Sequence, residues 1–166
     1  VFQNIGGAGF PFQRVQGFVI AKGCFAQFSA IATADTFFFI GGGLNESPSI
    51  YAFSGNSVEA ISTDGIDGII EAFGGDAVGQ AFSWSYSQAG GRFVGFSFPS
   101  TTLVFDLTSK RWHERRSQII GSDGVQDIRW RVNSLVTAYD QILVGDSQDG
   151  RIGSVSLDTF DEYGSE

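Results

Sequence analysis

A chain with one histidine and one cysteine among 166 residues has few ways to do acid–base or covalent chemistry. His113 stands in Arg111-Trp112-His113-Glu114-Arg115-Arg116. Read as a strand, this run puts Arg111, His113 and Arg115 on one face and Trp112, Glu114 and Arg116 on the other. A general base needs a partner that orients it, and a histidine flanked on its own face by arginines is a poor base and a poor metal ligand. Cys24 has no second thiol and no matching His/Asn context, so it is expected to behave as a small core residue. Asp146-Ser147-Gln148-Asp149-Gly150 has the composition of a calcium loop but lacks both the alternating acidic spacing and the later bidentate glutamate. It reads as a hairpin turn, as does Ser122-Asp123-Gly124. Gly6-Gly7 and Gly41-Gly42-Gly43 lack the Lys-Ser/Thr and the helix start of a phosphate cradle, and also read as turns. No catalytic residue, metal site or cofactor is expected, and the chain is not expected to be an enzyme.

The remaining chemistry is cationic and aromatic. Six of the ten basic residues, Lys110, Arg111, Arg115, Arg116, Arg129 and Arg131, fall between positions 110 and 131, interleaved with Trp112 and Trp130. Three uses fit such a stretch: cross-strand pairing inside the chain, a partner interface, or contact with phosphates. The chain as a whole has a net charge of −8, which disfavours wrapping a nucleic-acid backbone by counterion release.

The elements that must position these residues are strands. Seventeen Phe, 23 Gly and no Met favour half-buried pleated surfaces joined by tight turns. Segments beginning at Ser29, Ser83 and Ser134 each open a series of short alternating or apolar runs. The first reads SAIATAD, FFFIGG, SIYAFSG and VEAIST; the second SWSYSQ, RFVGFSFP, TLVFDLTS and RWHERRS; the third SLVTAYD, ILVGDS and RIGSVSLD. The period of about 50 residues is that of a four-stranded propeller blade of the kelch type. The expected fold is all-β, a partial β-propeller of tandem four-stranded antiparallel meanders at about 27–63, 81–117 and 128–160. Ile66, Ile69, Ile70 and Phe73 are spaced as one face of a short inter-blade helix, with Thr63 or Asp64 as N-cap and Gly74 as stop. Ile119 to Asp127 reads as an inter-blade loop and the FVIAKGC run as a further strand. A ring closes with about four to eight blades, so three units and a start at Val1 are expected to be a piece of a larger protein. No apolar run reaches membrane-span length, and no membrane association is expected.

The order of several runs is also specific. Tyr86-Ser87-Gln88 through Gly91-Arg92-Phe93 to Phe98-Pro99, then Thr102-Leu103-Val104-Phe105-Asp106 and Arg111-Trp112-His113-Glu114-Arg115, resembles the packaged-DNA stabilisation proteins of short-tailed phages. Leu143-Val144-Gly145-Asp146 with Gly150, Leu157-Asp158-Thr159-Phe160, Lys22-Gly23-Cys24 and Ser49-Ile50-Tyr51 leading to Ile61-Ser62-Thr63 extend the likeness from about Val15 onward. Gly90-Gly91 departs from it, standing where members often have Gly-His. The resemblance implies a virion tail protein, made in the bacterial cytoplasm, that helps keep the genome in the head and form the tail conduit. Its implied partners are other copies of itself and portal-side tail proteins, with DNA passing nearby but not tightly bound. It brings no catalytic residues. A propeller-type carbohydrate-binding or glycoside-processing module is the alternative, using Trp84, Tyr86 and Trp112 with a carboxylate pair about 5 to 9 Å apart.

Overall fold

The structure is a computed structural model that describes residues 2–16, 20–34, 36–55, 57–122, 124–159 and 161–162. The chain opens with a hairpin of β1 (Phe2–Asn4) and β2 (Phe12–Arg14). A first larger sheet contains β3 (Gly23–Cys24), β4 (Ile31–Ala32), β5 (Phe37–Gly42), β6 (Ser49–Ser54) and β7 (Ser57–Ala60). β5 is its centre: β3 and β4 both pair with one edge and β6 with the other. The continuous apolar run of β5 reflects burial on both faces, for Phe38 to Gly42 are all buried.

Two helices follow, α1 (Asp64–Phe73) and α2 (Gly75–Gly79). The Thr63 hydroxyl caps α1 by accepting the Ile66 N–H at 3.5 Å, and Gly74, at φ 75°, ends it. The sequence pattern located α1 and its stop at Gly74, and left its N-cap between Thr63 and Asp64; it did not show α2, whose five residues are too few for a period.

The second sheet is a meander of β8 (Phe82–Gln88), β9 (Gly91–Ser97), β10 (Thr102–Asp106), β11 (Arg111–Gly121) and β12 (Gly124–Arg129). The third sheet holds β13 (Val132–Ala138), β14 (Gln141–Asp146) and β15 (Ile152–Ser154). The expected loop at Ile119 to Asp127 is instead the end of a long hairpin, with Ile119 opposite Gln126 and Gly121 opposite Gly124. The Gly/Asp-rich centre that suggested a loop is only its turn, so the second sheet has a fifth strand, while β15 is the last strand of the third sheet among the described residues. Among the described residues of the FVIAKGC run only Gly23–Cys24 is strand; Phe18 and Val19 lie outside the described residues. Gly41 and Gly42 are strand residues of β5 and not a turn; a Cβ on Gly42 would meet Phe25 Cε2 at 2.8 Å.

The second sheet is covered on both faces. Val94, Phe96 and Leu103, with Phe98 beyond the strand end, pack against Phe38, Ile40 and Ile50 of the first sheet and against Ile70 and Val78 of the helices. Each such burial is worth about 1.5–3 kcal/mol relative to exposure. On the opposite face Trp84, Tyr86 and Val104 meet Ile142 of the third sheet, with Phe82, Phe93, Trp130, Leu135 and Val155 around them. Strand alternation produces this division: Val94, Phe96, Leu103 and Trp112 point one way, and Trp84, Tyr86, Val104 and Arg115 the other.

One strand from each of the larger sheets, β4, β8 and β13, stands beside the next. β8 lies against both β4 and β13, and Phe28 forms a parallel bridge to Phe82, with the Ser83 N–H donated to Phe28 O at 3.0 Å. Trp112 Nε1 donates to Ile61 O at 2.9 Å and Gln88 Nε2 to Val155 O at 3.2 Å, so each interface also carries a side-chain hydrogen bond. Antiparallel sheets packed face to face with one strand of each beside the next fit the architecture of propeller blades.

Candidate functional site

The basic and aromatic stretch divides into an inward and an outward set. Arg115 lies on the face of the second sheet that meets the third. Its guanidinium sits 4.9 Å from the Trp130 ring centroid, 5.2 Å from Tyr86, 5.3 Å from Phe93 and 5.6 Å from Trp84. A planar cation held among ring faces is stabilised by their quadrupoles, here partly out of water. The rings are also packed on one another: Trp84 stacks on Tyr86 at 5.8 Å and meets Trp130 edge-on at 5.0 Å. Trp84 Nε1 donates to Ser97 Oγ at 3.1 Å, which satisfies the indole in a buried place. The whole indole fits because residue 95 is glycine; a Cβ there would fall inside contact distance of Trp84 Cζ2, Cε2 and Cη2.

Arg131 forms a second inward pair. It grips Asp146 through Nε at 2.9 Å and through a second bond from its Nη2, and the Asp146 side chain is fully buried. The bond to Asp146 raises the Arg131 pKa further above its already high value. Asp146 also accepts the Gln148 N–H at 3.0 Å, and Arg151 Nε meets Asp149 at 2.6 Å in the turn after β14. Asp149 is held down to about 2, chiefly by its bond to Arg151. The Asp146 to Gly150 segment is thus a turn tied by arginines. Among the described residues no three His, Cys, Asp or Glu side chains are placed to hold one metal ion.

Arg129 lies 5.5 Å from the Phe82 ring and donates to Trp130 O at 3.2 Å and Asn133 Oδ1 at 3.1 Å, with burial lowering its pKa. Trp112 faces the first sheet, 4.9 Å from Phe105, with its indole N–H bonded to Ile61 as described. Lys110, Arg111 and Arg116 are exposed. Lys110 occupies a left-handed turn position at φ 59°. Arg116 pairs with Glu114 at 2.7 Å and Asp127 at 3.1 Å, across the base of the β11–β12 hairpin. Further along that hairpin Ile120 and Val125 are 72% and 59% exposed, an apolar tip that the loop reading of these residues passed over.

The candidate chemical residues are placed as follows. His113 Nε2 accepts from Arg115 Nε at 3.4 Å and its ring meets Phe93 edge-on at 6.1 Å. Burial, then the Arg115 charge, lowers its pKa. Cys24 is exposed and not a core residue, because β3 lies at the margin of the first sheet; its thiol donates to Ala26 O at 3.1 Å. The aromatics required by the carbohydrate reading offer no open platform. Trp84 and Tyr86 are 3% and 6% exposed beneath Arg115, and Trp112 is half-buried.

No helix among the described residues is long and apolar enough to cross a membrane. A comparison with individually curated proteins gave no match. A family model described as bacteriophage P22 Gp10, beta-propeller, matches residues 1–160. Stacked antiparallel meanders and a match over nearly the whole chain lead to one conclusion: this chain belongs to the phage stabilisation family of β-propeller proteins, structural proteins of the phage tail that stabilise packaged DNA in the virion.

Proposed function

We propose that this chain acts by association, with copies of itself and with portal-side tail proteins, and that it carries no catalytic activity. The three larger sheets, at residues 23–60, 82–129 and 132–154, act as successive propeller blades. The observation that carries the reading is the division of the Lys110 to Arg131 stretch. Arg115, Arg129, Arg131, Trp112 and Trp130 are taken up in contacts inside the chain, whereas Lys110 and Arg111 at the start of β11 and Arg116 at the base of the β11–β12 hairpin remain on the surface. Arginine is enriched at protein interfaces, and the exposed apolar hairpin tip at Ile120 and Val125 is a second, separate candidate contact. The net charge of −8 suits a protein beside DNA that must not adhere to it.

The test uses outward residues only. Lys110→Glu with Arg111→Glu is expected to fold normally yet attach poorly to DNA-filled heads, leaving more nuclease-accessible genome. Normal attachment and genome retention by this variant would remove the surface assignment.

A further inference from the structure

A cavity of about 210 Å³ lies at the seam between the first and second sheets. Thr33 and Ala34 wall it on the side of the first sheet, Ser85, Ser87 and Arg92 on the side of β8 and β9, and Leu107 from the turn after β10. No acidic side chain lines it among the described residues. Ala34, Ser87 and Arg92 are exposed and form its mouth, whereas Thr33, Ser85 and Leu107 are half-buried and lie deeper.

The strand register gathers the polar side chains. Ser87 is directly opposite Arg92, and Ser85 is opposite Val94. Opposed residues share a face, so Ser85, Ser87 and Arg92 project from one side of the β8–β9 pair. Directly opposed Cβ atoms are about 5 Å apart and diagonal ones about 7–8 Å, which leaves room for one tetrahedral oxyanion between the guanidinium and the two hydroxyls. The Leu107 N–H, donated to Arg92 O at 2.8 Å, fixes the backbone beneath the guanidinium.

None of these three side chains has a hydrogen bond or ion pair among the described residues. The Thr33 hydroxyl, by contrast, donates to Thr36 O at 2.9 Å. Asp106, at this end of β10, is opposite Phe93 and so lies on the other face from Arg92. Its carboxylate is occupied by the Ser109 hydroxyl at 2.6 Å and the Thr108 N–H at 2.8 Å. Three donors without acceptors, in a wall without a carboxylate, describe a site for an anion. The guanidinium fork matches phosphate oxygens, and serine hydroxyls are common second donors to them.

We propose that this cavity binds a phosphate group, held by the Arg92 guanidinium and the Ser85 and Ser87 hydroxyls. The phosphate belongs either to a small soluble anion or to the backbone of a nucleic-acid strand, and the chemistry of capture is the same. Such a contact is weak, with a dissociation constant on the order of 1 mM, because a single exposed cation does most of the holding. It suits a protein beside DNA whose net charge of −8 keeps the duplex from adhering elsewhere. The site is separate from the association surfaces and does not depend on them.

The experiment is a magnetic-resonance titration of the isotope-labelled full chain. The Arg92 Nε–H signal, assigned as the one missing from Arg92→Gln, is followed while inorganic phosphate replaces chloride at constant ionic strength. A saturable shift is expected, weakened about tenfold in the variant carrying Ser85→Ala and Ser87→Ala. Arg92→Gln is expected to abolish phosphate binding with an unchanged circular dichroism spectrum. An oligonucleotide without terminal phosphates then separates the two sources. If it moves the Arg92 signal with an affinity that falls with salt at a log–log slope of about one, the site takes backbone phosphate. If it leaves the signal still while inorganic phosphate moves it, the site takes a small anion. The proposal is overturned by a signal that answers phosphate no more than chloride, by phosphate binding that survives Arg92→Gln, or by undiminished binding in the double serine variant. Attachment to heads is not read by this titration, so the tail assignment stands or falls separately.

Discussion

Replacing Gly95 by alanine tests the inter-sheet box at its tightest point. Gly95 is opposite Trp84 on β8 and Val104 on β10, and the added methyl would overlap three atoms of the Trp84 six-membered ring. The backbone can give little, since β9 is paired on both edges, so the indole must move. Moving it strains the bond to Ser97 Oγ, worth about 1 kcal/mol. It also disturbs the contacts with Tyr86 and Trp130, worth about 1 kcal/mol each. Overpacking of this kind costs about 1–3 kcal/mol, and the smaller backbone entropy of alanine in the unfolded chain returns about 0.5. The expected loss is about 3 kcal/mol, or about 6–12 °C in Tm for a chain of this size. Urea unfolding followed by the remaining tryptophan fluorescence measures it. Trp84→Phe removes the overlapping atoms, so the double variant is expected to be less destabilised than the sum of the singles by about 1 kcal/mol or more. Gly145→Ala is the control, because there the nearest obstacle is the rotatable Ser134 Oγ at 2.5 Å. A loss below about 0.5 kcal/mol for Gly95→Ala, or strict additivity with Trp84→Phe, would refute the reasoning.

Arg115→Met keeps much of the side-chain stem but removes the cation from the ring faces, and is expected to cost about 2 kcal/mol in urea unfolding, with Arg115→Glu costing more. His113, the chain's single histidine, has a folded pKa below its unfolded value through burial and then Arg115. The unfolded state therefore binds the proton first, so the contribution of His113 is complete above pH about 6.5 and lost as pH falls through the lower folded value. His113→Gln is expected to flatten that part of the stability–pH profile. Tyr139 and Asp140 both hold positive φ, at 53° and 57°, in the two-residue turn between β13 and β14. Changing them together to Asn-Gly is expected to raise stability by about 1 kcal/mol in thermal unfolding, because that pair adopts this turn with little strain.

The legible parts of the fold were those set by local pattern. Alternation in Arg111–Arg116 gave the correct faces, and the end of α1 at Gly74 was visible, with its N-cap narrowed to Thr63 or Asp64, of which Thr63 caps it. The β11–β12 hairpin was missed because Gly121 and Gly124 outweighed the arms Arg116–Ile120 and Val125–Arg129, whose exposed outer residues show little alternation in hydropathy. The role of Arg115 was not legible at all. Four rings reach it from β8, from β9 and from Trp130, and no spacing in one segment records a convergence of three. Arg131 and Asp146 are fifteen positions apart, beyond the reach of any strand or helix period.

Apart from the single Phe28–Phe82 bridge, every strand of the second and third sheets pairs only with its immediate predecessor or successor among the described residues. During synthesis each of these sheets can therefore close as its residues emerge, without waiting for a distant partner, and low contact order favours rapid formation. The hazard comes between sheets. A nascent chain that has finished β12 but not β15 has one apolar face of its second sheet shielded by the first sheet and the helices. The other face, with Trp84, Tyr86 and Val104, waits in water for Ile142 and its neighbours. Interrupted translation or cleavage near residue 131 would thus leave a sticky, half-dressed intermediate, and Arg115 and Arg129 standing over rings of that face are charges placed to keep it soluble until the third sheet arrives.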